Sequence, residues 1–271
     1  MLDLPLNAAP LAFLDFETTG LHPRRGDRVC EVAVQRVVGN LVIASVATLV
    51  NPQRALSERS FAVNQISAEH LAGAPTFAEV AASICAALDG AVIVAHNAPF
   101  DLEFLHAELA LAGWPPLAAT AIDTLVVARR LLPKRPSHSL AALASALGSA
   151  PPSHRALDDV LALRAVFDDM VSALAAQGVA SLRDLLRYAR GFSPGEPEPA
   201  PPQQIADALR DGRLLRIVYR SRSRAEPTER VVRPIELISQ RGVLVLRAYC
   251  FLREDLRAFM IEKMASIELM S

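Results

Sequence analysis

The chain has 271 residues, 52% of them apolar, and a formal net charge of −1; that is enough for one large core, or for an average domain with a small companion. No apolar run reaches the roughly 20 residues of a membrane span, so no membrane partner is expected, and Met1 to Pro10 carries none of the Lys or Arg of a secretory leader. Three scattered cysteines, Cys30, Cys85 and Cys250, lack Cys-x-x-Cys spacing and read as reduced, buried thiols of a cytoplasmic protein.

In chain order, Leu11 to Phe16 is a short apolar run that ends among acidic, Thr and Gly residues. Cys30 to Val38 and Leu41 to Val50 are β-branched stretches joined at Gly39-Asn40, which predicts a hairpin. Phe77 to Leu88 has helical periodicity behind Thr76 as N-cap. Ala91 to Ala95 is continuously apolar, as a buried central strand requires. Leu102 to Ala112, Asp123 to Leu132, Ser139 to Leu147 and Ala156 to Leu174 read as helices, each stopped by Pro or Gly. This order predicts an α/β or α+β layered fold.

Gly191 to Pro202 is rich in Pro and polar residues and reads as a semi-rigid linker. The division expected is therefore 1–190, a linker over 191–202, and a second domain over 203–271. In the last part, Gln204 to Arg210 looks helical. Leu214 to Tyr219, Val231 to Ile238, Val243 to Cys250 and Ala258 to Ile261 read as short strands of a small barrel or sheet. From Gln203 onward 13 basic residues stand against 9 acidic ones; the preceding part holds 15 and 20. An Arg-rich section suits a polyanionic partner, and equally a solvated surface.

Asp15 and Glu17 lie two apart on a predicted strand, so both side chains point the same way. Carboxylates side by side repel unless a cation lies between them, and such oxygens suit Mg²⁺ or Mn²⁺. An exposed acidic turn into Thr18-Thr19-Gly20 is the plainer alternative. Asp101 follows the turn His96-Asn97-Ala98-Pro99-Phe100, where it is also a suitable helix N-terminal charge. On the helix from Ala156, with about 100° per residue, Val160, Leu163 and Phe167 mark an inward face. Asp159 falls beside that face and Asp158 points to solvent. His154 then belongs to the preceding loop, which suits a mobile general base.

The segments Phe13 to Leu21, Ala95 to Asp101 and His154 to Asp159 resemble the three motifs of the DEDDh 3′–5′ exonuclease superfamily, most of all its proofreading epsilon-type members. The resemblance covers roughly residues 10–175. It implies a ribonuclease-H-like fold with a mixed five-stranded sheet flanked by helices. It implies Asp15, Glu17, Asp101 and Asp159 as ligands of two divalent cations, Mg²⁺ or Mn²⁺, and His154 as general base. Thr18, Leu21, Asn97 and Phe100 would contact the terminal nucleotides; core or turn roles are the alternative for these four. The remaining histidines, His22, His70, His96, His106 and His138, read as surface or packing residues.

Arg230 with Pro234, Leu246 to Cys250, and Arg257-Ala258-Phe259 resemble the WYL domain family, which implies an Sm/SH3-like β-barrel. The eponymous tripeptide is replaced by Leu244-Val245-Leu246, and Lys263 stands where an Arg is usual. Arg230, Tyr249, Arg257 and Lys263 are the candidates for nucleic-acid or ligand contact; core and surface-bridging roles are the alternative. The function expected is a 3′–5′ exonuclease on single-stranded DNA, releasing nucleoside 5′-monophosphates in repair or proofreading, with a polymerase or repair complex as partner. The alternatives are an exoribonuclease and a ligand-sensing regulatory protein that binds nucleic acid.

Overall fold

The computed structural model describes residues 1–56, 58–117, 119–197, 200–221, 226–240 and 243–270. Its contacts divide into two compact units, Met1–Ala189 and Arg190–Ser271. Of the Pro-rich stretch read as a linker, positions 198 and 199 lie outside the described residues.

The first unit is built on strands β1 (Pro10–Thr18), β2 (Val29–Val38), β3 (Leu41–Leu49), β4 (Val92–Ala95) and β5 (Ala121–Asp123). Their order is β3-β2-β1-β4-β5. β1 pairs antiparallel with β2, and β2 with β3; β1–β4 and β4–β5 are parallel. This is the mixed five-stranded sheet of the ribonuclease-H-like class. The β2–β3 turn uses Gly39 at φ +58°, a region glycine enters without steric cost.

Helices cover both faces, and alternation along β1 decides which side chain meets which. Leu11 and Phe13 point into one core with Ala33, Val92, Val94 and Ile122. That core is covered by α5 (Thr124–Leu131), α6 (Leu140–Ala146), α7 (Ala156–Ala175) and α8 (Leu182–Arg190). Phe13 meets Phe167 of α7 edge to face, with centroids 5.4 Å apart, a geometry worth about 1 kcal/mol beyond burial. Ala12, Leu14 and Phe16 point the other way, into a core with α3 (Phe77–Leu88) and α4 (Ala98–Leu111). Two short helices, α1 (Glu58–Asn64) and α2 (Ala68–Ala72), lie between β3 and α3.

Most expected elements are present, with shifted ends. Thr76 and Glu79 form a reciprocal capping box at α3. Asp123 and Ser139 cap α5 and α6 with their side chains. α4 begins at Ala98 rather than Leu102, because Pro99 is tolerated in a first helical turn. α1, α2, β5 and α8 are additional to the elements expected from the sequence, and Cys85 is only partly buried, unlike Cys30 and Cys250.

The second unit contains α9 (Gln203–Asp211) and strands β6 (Leu215–Tyr219), β7 (Thr228–Gln240), β8 (Val243–Cys250), β9 (Asp255–Met260) and β10 (Met264–Leu269). The expected barrel is met at the level of a five-stranded antiparallel sheet, in the order β10-β6-β7-β8-β9. Ile205 and Ala208 of α9 pack with Leu215, Ile217, Val232, Leu246, Ala248, Cys250 and Phe259 in its core.

Candidate active site

The site forms where β1 outruns β4. The parallel ladder covers only Leu11 to Phe13 of β1, so Leu14 to Thr18 have no ladder partner on that side. Phe16 donates its amide to Asp101 Oδ1 at 3.2 Å instead. Asp101 is 3% exposed in the first turn of α4, so the bond brings a carboxylate from helix to strand across 85 residues. Asn97, just before α4, makes the turn in the left-handed region at φ +72° and donates its amide to Asp123 at 3.0 Å.

Asp15 and Glu17 alternate with Phe16 and point to the α7 side, opposite the face filled by Leu14 and Phe16. There Asp159 lies buried in the first turn of α7, whereas Asp158 is exposed. His154 precedes the helix, exposed, at φ +59°. A side chain in that region costs on the order of 1–3 kcal/mol and persists only where its surroundings hold it. One ligand atom each of Glu17, His154 and Asp159 lie within 4.8 Å of one another.

Crowding shows in the acidities. Burial, then the charges of Asp101, Asp159 and Glu17, raise Asp15 well above the carboxylate range. Glu17 is pushed up to about 8, first by burial and then by Asp159, against a hydrogen bond from Asn64. Burial also raises Asp101, opposed by the Phe16 amide. Asp159 is raised by burial and held back by the Ser153 amide and His154. Four carboxyls that resist ionising together are a donor set lacking positive charge. Their hard oxygens fit Mg²⁺ or Mn²⁺, with His154 beside them.

Residues not singled out from the sequence complete the surroundings. Glu31 faces Glu17 across the β1–β2 ladder and is 7% exposed. It accepts two bonds from Arg155 Nε (3.2 and 3.1 Å), one from Arg155 Nη2 (2.9 Å) and one from the Ala156 amide (3.1 Å). An acid inside the apolar run of β2, on the face of Asp15 and Glu17, was the available signal. Ser60 Oγ donates to the Thr18 carbonyl at 2.7 Å, and buried Asn64 donates to Ser60 Oγ and Cys30 Sγ. Burial and the Glu17 charge push the Cys30 thiol up to about 12, so it is no nucleophile.

Thr18 spends its hydroxyl on the Gly20 carbonyl at 2.6 Å, and Leu21 is 56% exposed. Asn97 is exposed, and Phe100 packs on Phe104 with centroids 4.9 Å apart. His96 is a packing residue, bonded to Thr124 Oγ1 and the His138 carbonyl at 2.9 Å each.

In the second unit Arg230 is buried beside Tyr219 and Phe259 and donates to Thr228 Oγ1 at 3.1 Å. Arg257 is exposed and paired with Asp255; the backbone carbonyl of partly buried Lys263 accepts from Arg220. Tyr249 stands opposite Arg233, one residue out of phase with the core residues Ala248 and Cys250. It therefore faces away from Arg230 and packs on Phe251 instead. The four candidates do not form one cluster.

Residues 12–167 match the exonuclease family, and residues 202–269 match the WYL domain. A DNA polymerase III subunit epsilon-like protein of Rhodobacter capsulatus is 36% identical over 195 residues, 70% of this chain and 28% of that protein. The DNA polymerase III subunit epsilon of Treponema pallidum is 35% identical over 161 residues, 58% of this chain and 74% of that one. The chain thus spans little more than a quarter of the first relative and about three quarters of the second. Among solved structures, Exonuclease X in complex with 5′ overhanging duplex DNA superposes with a TM-score of 0.50 at 25% identity, over 65% of this chain and 98% of the other.

Proposed function

The chain belongs to the exonuclease family, and we propose that it is a metal-dependent 3′–5′ exonuclease of the DEDDh type that trims single-stranded DNA to nucleoside 5′-monophosphates. The observation that carries this reading is the convergence of Asp15, Glu17, Asp101 and Asp159, with His154 beside them, where β1 passes the end of β4. Epsilon subunits are named for a DNA polymerase, and Exonuclease X was captured on DNA. Both support DNA as substrate, and a replication or repair assembly as partner.

The four carboxylates would hold two divalent cations, Mg²⁺ or Mn²⁺, which supply Lewis acidity toward the phosphate and acidify a bound water. His154 takes the proton of the attacking water; its exposed, loop-borne ring suits that role, because it must reach solvent to discharge the proton. Glu17 and Asp15 fix the floor of the site through their strand, which moves less than a loop. Leu21, Phe100, Asn97 and the backbone at Thr18 line the approach of the terminal nucleotides.

The chain divides, on this reading, into a catalytic domain over 1–190, a linker over 191–202 and a WYL domain of Sm/SH3-like type over 203–271. The last carries the basic excess and aids nucleic-acid binding or regulation, through Arg230, Arg257, Lys263 and, on its other face, Tyr249. The test is digestion of matched 5′-labelled DNA and RNA oligonucleotides with Mg²⁺, Mn²⁺ or EDTA. Metal-dependent shortening of the DNA from its 3′ end is expected; no shortening under any condition would refute the proposal.

A further inference from the structure

The exonuclease reading gives Glu31 and Arg155 no work, yet the two are tied to His154, whose backbone is strained. His154 occupies the left-handed region at φ +59°, where a side chain bearing a Cβ is disfavoured. It is exposed, so packing does not hold it there. Its neighbours are fastened on both sides. Before it, Ser153 donates its amide to Asp159 Oδ1 at 2.9 Å and its hydroxyl to Asp158 Oδ2 at 2.6 Å. After it, Arg155 grips Glu31 through Nε and Nη2, and the Ala156 amide donates to Glu31 Oε2 at 3.1 Å. Glu31 is a buried anchor, opposite Glu17 in the β1–β2 ladder.

We infer that Glu31 and Arg155 form a positioning clamp that holds His154 in its left-handed conformation beside Glu17 and Asp159. The inference rests on the reading of His154 as general base. A helix cap alone needs only the bond to the Ala156 amide. The additional fork on Arg155 restrains the residue next to His154 in direction as well as distance, which a single bond does not do. The clamp also refers His154 to the strand pair that carries Glu17, so base and carboxylate share one frame. Lys at position 155 keeps the charge and loses the two-point grip, and Gln at position 31 keeps the shape and loses the charge.

The test is a double-mutant cycle in full-length protein: wild type, Arg155→Lys, His154→Ala and the double variant, assayed for kcat and KM on a 5′-labelled DNA oligonucleotide. Arg155→Lys is expected to lower kcat about 10- to 100-fold, the scale of a misplaced catalytic group, with KM within twofold. The double variant is expected to be no slower than His154→Ala. If the two losses multiply, Arg155 does not act through His154 and the proposal falls. Amide exchange gives a second readout. In Arg155→Lys and Glu31→Gln the Ala156 amide is expected to exchange at least about tenfold faster, with the Val94 amide of the central sheet unchanged. Unaltered exchange at Ala156 in both variants overturns the clamp. A wild type without nuclease activity defeats the general-base reading instead, and exchange then decides alone whether the clamp exists.

Discussion

Replacing Glu17 by Gln is expected to stabilise the metal-free protein while abolishing its chemistry. Glu17 is buried on β1 between Asp159 and Glu31, and its carboxyl is pushed from the ordinary 4.5 up to about 8. A group whose folded value is raised contributes stability that is complete below the unfolded value and is lost as the pH climbs through the folded one. The window here runs from about 4.5 to about 8. At pH 7 the folded chain must keep a proton that the unfolded chain has released, at roughly 1.4 kcal/mol per pH unit above 4.5, or about 3 kcal/mol. Gln has the shape of the protonated acid and can still accept from Asn64, so it escapes that cost. A domain of this size gains about 2–4 °C per kcal/mol, so Glu17→Gln should melt about 6–12 °C higher at pH 7 in EDTA. The gain should shrink to a degree or two at pH 5 and grow further by pH 9. With saturating Mn²⁺ the wild type should recover most of the difference, because a cation that binds the native cluster stabilises it by mass action. Calorimetric melts at the three pH values, with and without Mn²⁺, check this. A metal-free variant that melts at or below wild type at pH 7, or a gain independent of pH, would refute the picture of a site strained by its own charge.

Three further outcomes are expected. Asp15→Ala or Asp159→Ala should abolish Mn²⁺-dependent digestion with an unchanged far-ultraviolet circular dichroism spectrum; retained activity would remove those residues from the site. His154→Ala should lower kcat by about 10²- to 10⁴-fold, the range of general-base loss, and a single-turnover assay measures it. Deleting residues 203–271 should weaken binding to long single strands, read by fluorescence anisotropy, more than hydrolysis of a short oligonucleotide. Equal binding with and without that segment would strip the second domain of its proposed role.

How much of this was legible beforehand follows from the range of each signal. Period-two alternation put Asp15 and Glu17 on one face, and helical periodicity turned Asp159 inward and Asp158 outward; both are local rules, and the geometry agrees with them. The same alternation, applied to β2, would have placed Glu31 beside Glu17, but an isolated acid there has no motif to draw the eye. Elements of three to seven residues, such as β5, α1 and α2, are too short to show a period. β10 pairs with β6, a contact of about 50 residues' separation that no local pattern reports. Asn64 and Ser60 reach β1 only through tertiary packing of α1. In the second unit the strands were readable, but the facing of Tyr249 depends on the β7–β8 register, which the residue pattern left open.

The bond from the Phe16 amide to Asp101 Oδ1 gives one side chain two employments. One oxygen substitutes for the carbonyl that a longer β4 would have offered, and the same carboxyl group belongs to the charge cluster with Asp15 and Glu17. Sheet edge and charge cluster are therefore assembled by the same event. If the first turn of α4 lifts away, an interior amide loses its acceptor at the moment the site loses a carboxylate. Half-built versions of the site are thereby disfavoured during folding, and Asp101→Asn, which can keep the acceptor while deleting the charge, separates architecture from chemistry where Asp101→Ala would confound them.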